Sequence, residues 1–190
     1  SLLTTISSFV LAGSSMNRVW LRTEGERPSG ESGAGQAELL YGRPVSAWWD
    51  LVAGLRHDFG PGPARNYAAV GVQGLAPQWF HVEATAYFGE GGQLGLALTS
   101  DYEWRLTRQL ILAARLEADA WSEDDEAAGL GSGLAELTTG LRLRYQLVPE
   151  FAPYVGVEWT GLLGDTADIA RDLGEPRRDT RVVAGLRFWF

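Results

Sequence analysis

Thr180-Arg181-Val182-Val183-Ala184-Gly185-Leu186-Arg187-Phe188-Trp189-Phe190 closes the sequence. Counted back from the end, Phe190, Phe188, Leu186, Ala184 and Val182 are apolar or small, with Arg187, Gly185 and Arg181 between them. Side chains alternate between the faces of a strand, so a strand here has one apolar face and one that carries arginine. In water such an apolar edge invites aggregation, whereas a closed barrel in lipid requires an apolar outer face. A terminal, outward-facing aromatic is the usual signature of bacterial outer-membrane β-barrels. The stretch therefore sets the expectation for the whole chain: all-β, an antiparallel up-and-down transmembrane barrel.

The same alternation recurs upstream. Leu137, Thr139, Leu141, Leu143 and Tyr145 oppose Glu136, Thr138, Gly140, Arg142 and Arg144. Leu110, Leu112, Ala114, Leu116 and Ala118 oppose Arg115, Glu117 and Asp119. Leu94, Leu96, Leu98, Tyr102 and Trp104 oppose Thr99, Asp101, Glu103 and Arg105, and Phe80, Val82, Ala84, Ala86 and Phe88 oppose His81, Glu83, Thr85 and Tyr87. Val155, Val157 and Trp159 flank Glu158, and residues 18–25, 36–42, 48–58 and 67–75 follow the pattern more weakly. A lipocalin-like barrel or a β-sandwich also alternates, but a soluble barrel is apolar inside and polar outside. Here the positions between the apolar ones carry arginines and carboxylates, which fits an outward apolar band and a polar interior.

Composition narrows the choices further. The 190 residues read as one domain, with a barrel over residues 16–190 and a lead-in or partial strand over residues 1–15. No run of 18 apolar residues occurs, so no transmembrane helix is expected. Cysteine is absent, which removes disulfides and thiolate chemistry. All 16 basic residues are arginine, and with 24 acidic residues the net charge of −8 argues against nucleic acid as a partner. Residues 1–13 lack a basic flank and are not read as an intact signal peptide; a strand, a remnant of one and a flexible lead-in all remain open.

Connections alternate in length. Arg43-Pro44-Val45-Ser46, Leu75-Ala76-Pro77, Leu106-Thr107-Arg108 and Val148-Pro149-Glu150 are tight. Residues 26–35, 60–65, 89–92, 122–131 and 164–179 form longer, hydrophilic connections. Outer-membrane barrels have short periplasmic turns and long external loops. Counting hairpins back from the C-terminus gives about ten strands, the first at residues 18–25, with both ends periplasmic and 10–12 strands in a full barrel. Trp49, Phe80, Trp104, Tyr145, Phe151, Phe188 and Phe190 fall near the short-turn ends, and Phe59, Phe88 and Trp159 near the loop ends, as two interfacial girdles require.

The inward positions are Arg22, Glu24, Glu38, Asp50, Arg56, Glu83, Asp101, Glu103, Arg105, Arg115, Glu117, Asp119, Glu136, Arg142, Arg144, Glu158, Arg181 and Arg187. Acids and arginines nearly balance, so paired charges that close the lumen are expected, with a charged path or a metal transit site as the alternative. For a metal, His81 and Glu83 share a face, and inward Asp50 or Asp101 could add to them. The inventory of 2 His, 1 Met and no Cys suits Cu(II) better than Cu(I). His57 and Asp58 are adjacent, point to opposite faces and cannot act as a simple dyad.

Several motifs are similar to those of the copper resistance protein B family of Gram-negative outer-membrane proteins. They include Trp20-Leu21-Arg22-Thr23-Glu24-Gly25-Glu26, Gly71-Val72-Gln73-Gly74-Leu75-Ala76-Pro77 and Trp79-Phe80-His81-Val82-Glu83-Ala84-Thr85-Ala86. Gly140 to Tyr145, Glu150 to Trp159, Gly164-Asp165-Thr166-Ala167 and the closing Val183 to Phe190 carry the likeness to the end. The resemblance implies that the barrel binds, sequesters or exports copper ions, alongside periplasmic copper proteins and in contact with outer-membrane lipids and lipopolysaccharide. It also implies a Met- and His-rich segment before the barrel and a further upstream hairpin, neither of which this sequence shows. Two other classes stand beside it: a closed structural or adhesin-like barrel, and an outer-membrane hydrolase. The hydrolase would need a nucleophile–base set, for which only His57 and His81 offer a base and no motif matches. A non-enzymatic role is therefore expected.

Overall fold

The structure, a computed structural model, describes residues 3–13, 17–27, 34–60, 64–124, 131–148, 151–174 and 176–188. Parts of three long connections (residues 28–33, 61–63 and 125–130) lie outside the described residues, as do Pro149, Glu150, Trp189 and Phe190. The side chains of Glu24, Arg187 and Phe188 also lie outside them.

Among the described residues, eleven strands follow one another through a single sheet in chain order. They are β1 (Leu3–Gly13), β2 (Arg18–Arg27), β3 (Ala34–Pro44), β4 (Trp49–Phe59), β5 (Arg65–Ala76) and β6 (Phe80–Gly89). After them come β7 (Leu94–Arg105), β8 (Leu110–Trp121), β9 (Gly133–Tyr145), β10 (Phe151–Leu162) and β11 (Arg178–Phe188). One helix, α1 (Gly164–Asp172), lies between β10 and β11. The registers from β1 to β5 and from β8 to β11 are antiparallel, which makes the sheet an up-and-down meander. The expected strands are all present within a residue or a few of their anticipated bounds.

Residues 3–13 settle as a strand rather than a lead-in. Leu3 opposes Arg27 and Gly13 opposes Arg18, so β1 starts at the end of β2 from which the β2–β3 connection leaves. The count from Arg18 did not include this strand. With β1 included, the described chain begins at the long-loop end. The alternation rule missed it because Leu3-Thr4-Thr5-Ile6-Ser7-Ser8-Phe9 spaces its apolar residues by three.

The chain divides into two compact units, Ser1–Gly74 with Ala84–Leu96 and Leu75–Glu83 with Ala97–Phe190. In the first, Leu39, Tyr41, Leu51, Leu55, Val70 and Val72 are exposed, while Leu40, Val52, Tyr67 and Ala69 on the opposite face are buried. Gly42 lies directly beneath the Trp20 ring, where a Cβ would collide with it. In the second unit Leu98, Trp104, Leu116, Leu141, Leu143, Val155, Val157, Val182 and Leu186 are exposed, and Ile111, Trp121, Ala135 and Ala152 are buried. The exposed face thus carries the large aliphatic residues in both units, the reverse of a soluble sheet protein.

Helix α1 sits where a hydrophilic loop was expected. Gly164, at φ 53°, lets the chain turn out of β10, and Asp165 occupies the first helical turn. Thr166, Ala167 and Ala170 are its buried residues. The Thr166 hydroxyl accepts from the Gly131 N–H at 2.8 Å, and Ser132 Oγ donates to Asp165 at 3.0 Å. These contacts tie α1 to the start of β9.

Candidate functional site

The charged positions form the candidate site, and the strand period places them. Residues two apart on one strand share a face, so the alternating apolar residues on one side leave the charged ones together on the other. Adjacent strands then bring opposite signs within reach.

In the first unit, Glu38 is the centre. It is 4% exposed and accepts from the Tyr87 hydroxyl at 2.6 Å. Arg22 approaches it at 3.8 Å and donates to the side-chain oxygen of buried Gln73 at 2.9 Å. Arg56 pairs twice with Asp58, at 2.6 and 2.9 Å, and its guanidinium lies 4.8 Å from the Tyr87 ring centroid and 5.6 Å from that of Tyr67. Tyr67 and Tyr87 meet edge to face at 6.4 Å, and Tyr67 donates to Gln93 at 3.1 Å. Arg18 holds Asp50 at 3.3 Å. Cations over aromatic faces and paired carboxylates satisfy charge in a covered setting.

The second unit repeats the logic. Arg115 donates to Asp101 at 2.9 and 3.4 Å and lies 3.2 Å from Glu117. Arg142 meets Glu158 at 2.9 Å and lies 5.9 Å from the Tyr154 ring centroid. Arg144 reaches both oxygens of Glu103 at 2.9 Å, and Arg181 pairs with Asp179. Glu136 accepts from Thr138, which also shares a hydrogen bond with Thr160. Arg105 is exposed at the end of β7.

The metal candidates do not converge among the described residues. His81 is exposed and Glu83 half-buried, Asp101 is engaged by Arg115, and Asp50 is engaged by Arg18. No group of three or more His, Asp and Glu placed to hold a metal ion occurs among the described residues. His57 is exposed and its Nδ1 lies 2.7 Å from Asn66 Oδ1, away from Asp58.

Tyr67, Tyr87, Gln73 and Asp58 were not among the residues chosen from sequence. For Asp58 the signal was present, since it stands two residues from Arg56 on one strand. For Tyr87 and Glu38, 49 positions apart, local periodicity carries no signal.

Among the described residues, Arg18, Arg22, Arg56, Arg115, Arg142, Arg144 and Arg181 each lie against a carboxylate, which favours a neutralised face over an open charged track. Reconstituted into planar bilayers, the intact chain is expected to pass little current. Large, steady openings would contradict it.

An up-and-down antiparallel sheet with aliphatic residues on the exposed face and paired charges on the other is the arrangement of porin-like outer-membrane β-barrels. Solved structures agree in fold: the NanC porin superposes with a TM-score of 0.64 at 12% identity, covering 100% of this chain and 94% of that one. The KdgM porin follows at 0.59 and 15%, covering 100% and 95%. The chain belongs to the family described as Copper resistance protein B precursor (CopB), which it matches over residues 6–190. It is 48% identical over 178 residues to Copper resistance protein B of Escherichia coli, covering 94% of this chain and 60% of that protein. It is 46% identical over 178 residues to the Copper resistance protein B homolog of Pseudomonas syringae pv. tomato, with the same coverage. The chain thus spans 60% of the length of these curated relatives.

Proposed function

We propose that the chain supplies the outer-membrane barrel of a copper-resistance protein, with the copper ion as cargo that it helps to bind or sequester rather than conduct. The observation that carries this reading is the 46–48% identity to copper resistance protein B relatives along 94% of the chain. The paired charges of both units favour holding over free passage. In this reading the short turns face the periplasm, and the full-length protein closes as twelve strands with both termini on that side. Lipopolysaccharide and outer-membrane phospholipid surround the wall, and periplasmic copper proteins exchange the ion. The role is non-enzymatic: no nucleophile–base motif accompanies His57 or His81 in the sequence.

What this stretch contributes to binding is small. His81 and Glu83 lie two apart on β6 and are its best pair, and imidazole with carboxylate suits Cu(II). Calorimetry with Cu(II) is expected to give weak binding at most, lost in His81→Ala. Tight binding, unchanged by that substitution, would move the site elsewhere in the barrel. Loss of copper tolerance in cells expressing the full-length protein without residues 3–188 tests the wider reading; unaltered tolerance would refute it. A closed structural barrel is the second reading, favoured by the lack of a metal-ligand cluster among the described residues.

A further inference from the structure

Two of the short turns share one hydrogen-bond pattern. Between β3 and β4, the Val45 and Ser46 N–H groups both donate to the Trp49 carbonyl, at 2.9 and 3.2 Å. The Trp48 and Trp49 N–H groups both donate to Ser46 Oγ, at 3.3 and 3.1 Å. Between β7 and β8 the pattern repeats atom for atom. Leu106 and Thr107 donate to the Leu110 carbonyl at 2.9 and 3.1 Å, while Gln109 and Leu110 donate to Thr107 Oγ1 at 3.2 and 2.9 Å. Each turn therefore satisfies four of its own backbone donors, with a hydroxyl at its second position doing half of the accepting.

The first position of each is a large aliphatic residue pointing into the open, Val45 at 62% and Leu106 at 54% exposure. The β5–β6 turn holds Gln78 and Trp79 at φ 63° and 69°, a left-handed conformation that costs non-glycine residues energy, and leaves Trp79 71% exposed. Leu147 and Val148 are exposed after β9. At the opposite end the connections show Glu90, Gly91 and Gly92, or Ser122, Glu123 and Asp124.

Water would satisfy turn donors without help and would disfavour such tips. A low-dielectric surrounding does the reverse: unmet backbone groups cost several kcal/mol there, and apolar tips are favoured. We infer that the short turns lie within the phospholipid interface, so that the membrane boundary at this end runs beyond the strand ends. The occupant is lipid because the tips continue an aromatic belt. In the second unit, Phe80 and Tyr102 meet at 4.5 Å and Tyr102 and Trp104 at 4.5 Å, with Trp79 immediately before Phe80 and Leu106 two residues after Trp104. Aromatic clusters of this kind favour the headgroup level. The inference rests on the membrane-spanning fold and is independent of copper.

The chain contains no cysteine, so single cysteines can carry a nitroxide label without background. The set is Val45→Cys, Leu106→Cys, mid-strand Leu141→Cys as the lipid reference, and Gly91→Cys, where a Cβ has nothing within 4 Å, as the aqueous one. In vesicles of phosphatidylethanolamine and phosphatidylglycerol, the label at Leu141 should collide with oxygen in preference to a nickel chelate. The label at Gly91 should show the reverse, and labels at Val45 and Leu106 should give a ratio between those at Leu141 and Gly91. Nickel access at both turns equal to that at Gly91, with Leu141 still in lipid, would overturn the inference. Shielding from both reagents would overturn it too, by showing that protein covers the tips. An aqueous Leu141 would overturn it together with the membrane-spanning reading.

Discussion

Leu141→Arg is expected to abolish heat-resistant assembly in lipid while leaving the inner face chemically intact. Leu141 is 54% exposed at the middle of β9, opposite Val157 of β10 and Ala114 of β8, so its surroundings on the open face are apolar. An arginine at the bilayer midplane of a transmembrane β-barrel costs about 2–4 kcal/mol, falling toward zero near the interfaces. The contrast with position is the useful part. Arginine at Leu94, exposed as the first residue of β7, should cost less, because strand ends lie near the interface. Unfolding of the parent and both variants in lipid measures the difference, and heat-shifted mobility on gels gives a quick check. If Leu141→Arg assembled and resisted heat like the parent, the exposed face would not be facing lipid.

The two faces of the wall were legible from sequence because one apolar residue in two is a strong signal where the intervening residue is charged. In β10 the run Val155-Gly156-Val157-Glu158 leaves no doubt about which residues point out. The signal fails where both faces are apolar. Leu39 and Leu40 are neighbours, as are Leu51 and Val52, yet Leu40 and Val52 are fully buried while Leu39 and Leu51 are exposed. Register decides between them, since Leu40 and Val52 share the face of Glu38 and Arg56, and register depends on pairing with other strands. Helix α1 escaped for another reason: its buried face is Thr166, Ala167 and Ala170, too small and polar to stand out from a loop.

At the candidate site, sequence supplied the charges but not their partners. Arg144 meets Glu103 across the intervening β8, and Arg22 meets Gln73, 51 positions away. Nearly balanced charge predicts that pairing occurs without saying who pairs with whom. The aromatic members are less visible still, because Tyr67 and Tyr87 read locally as ordinary strand aromatics and become part of the charged network only when Arg56 lies over their rings. His81 and Glu83 lie on one strand, and no third ligand joins them among the described residues.

Glu38→Ala should be the most damaging change on the inner face. It removes the acceptor of the buried Tyr87 hydroxyl and the carboxylate that faces Arg22. A buried donor left unmet costs about 1–3 kcal/mol, and breaking a buried charged contact adds to that, so a loss of about 3 kcal/mol is expected. Glu38→Gln separates the two contributions. Its side-chain oxygen can still accept from Tyr87, while the negative charge is gone, so it should retain much of the stability that Glu38→Ala loses. Tyr87→Phe completes a double-mutant cycle: with both partners removed, the loss should fall well short of the sum of the single losses, because neither group is then left unpaired. Denaturant unfolding of the four proteins in lipid vesicles provides the comparison. Additive losses would mean that the 2.6 Å contact between Tyr87 and Glu38 contributes nothing of its own, and that the inner face is held by packing around Leu40 and Val52 instead.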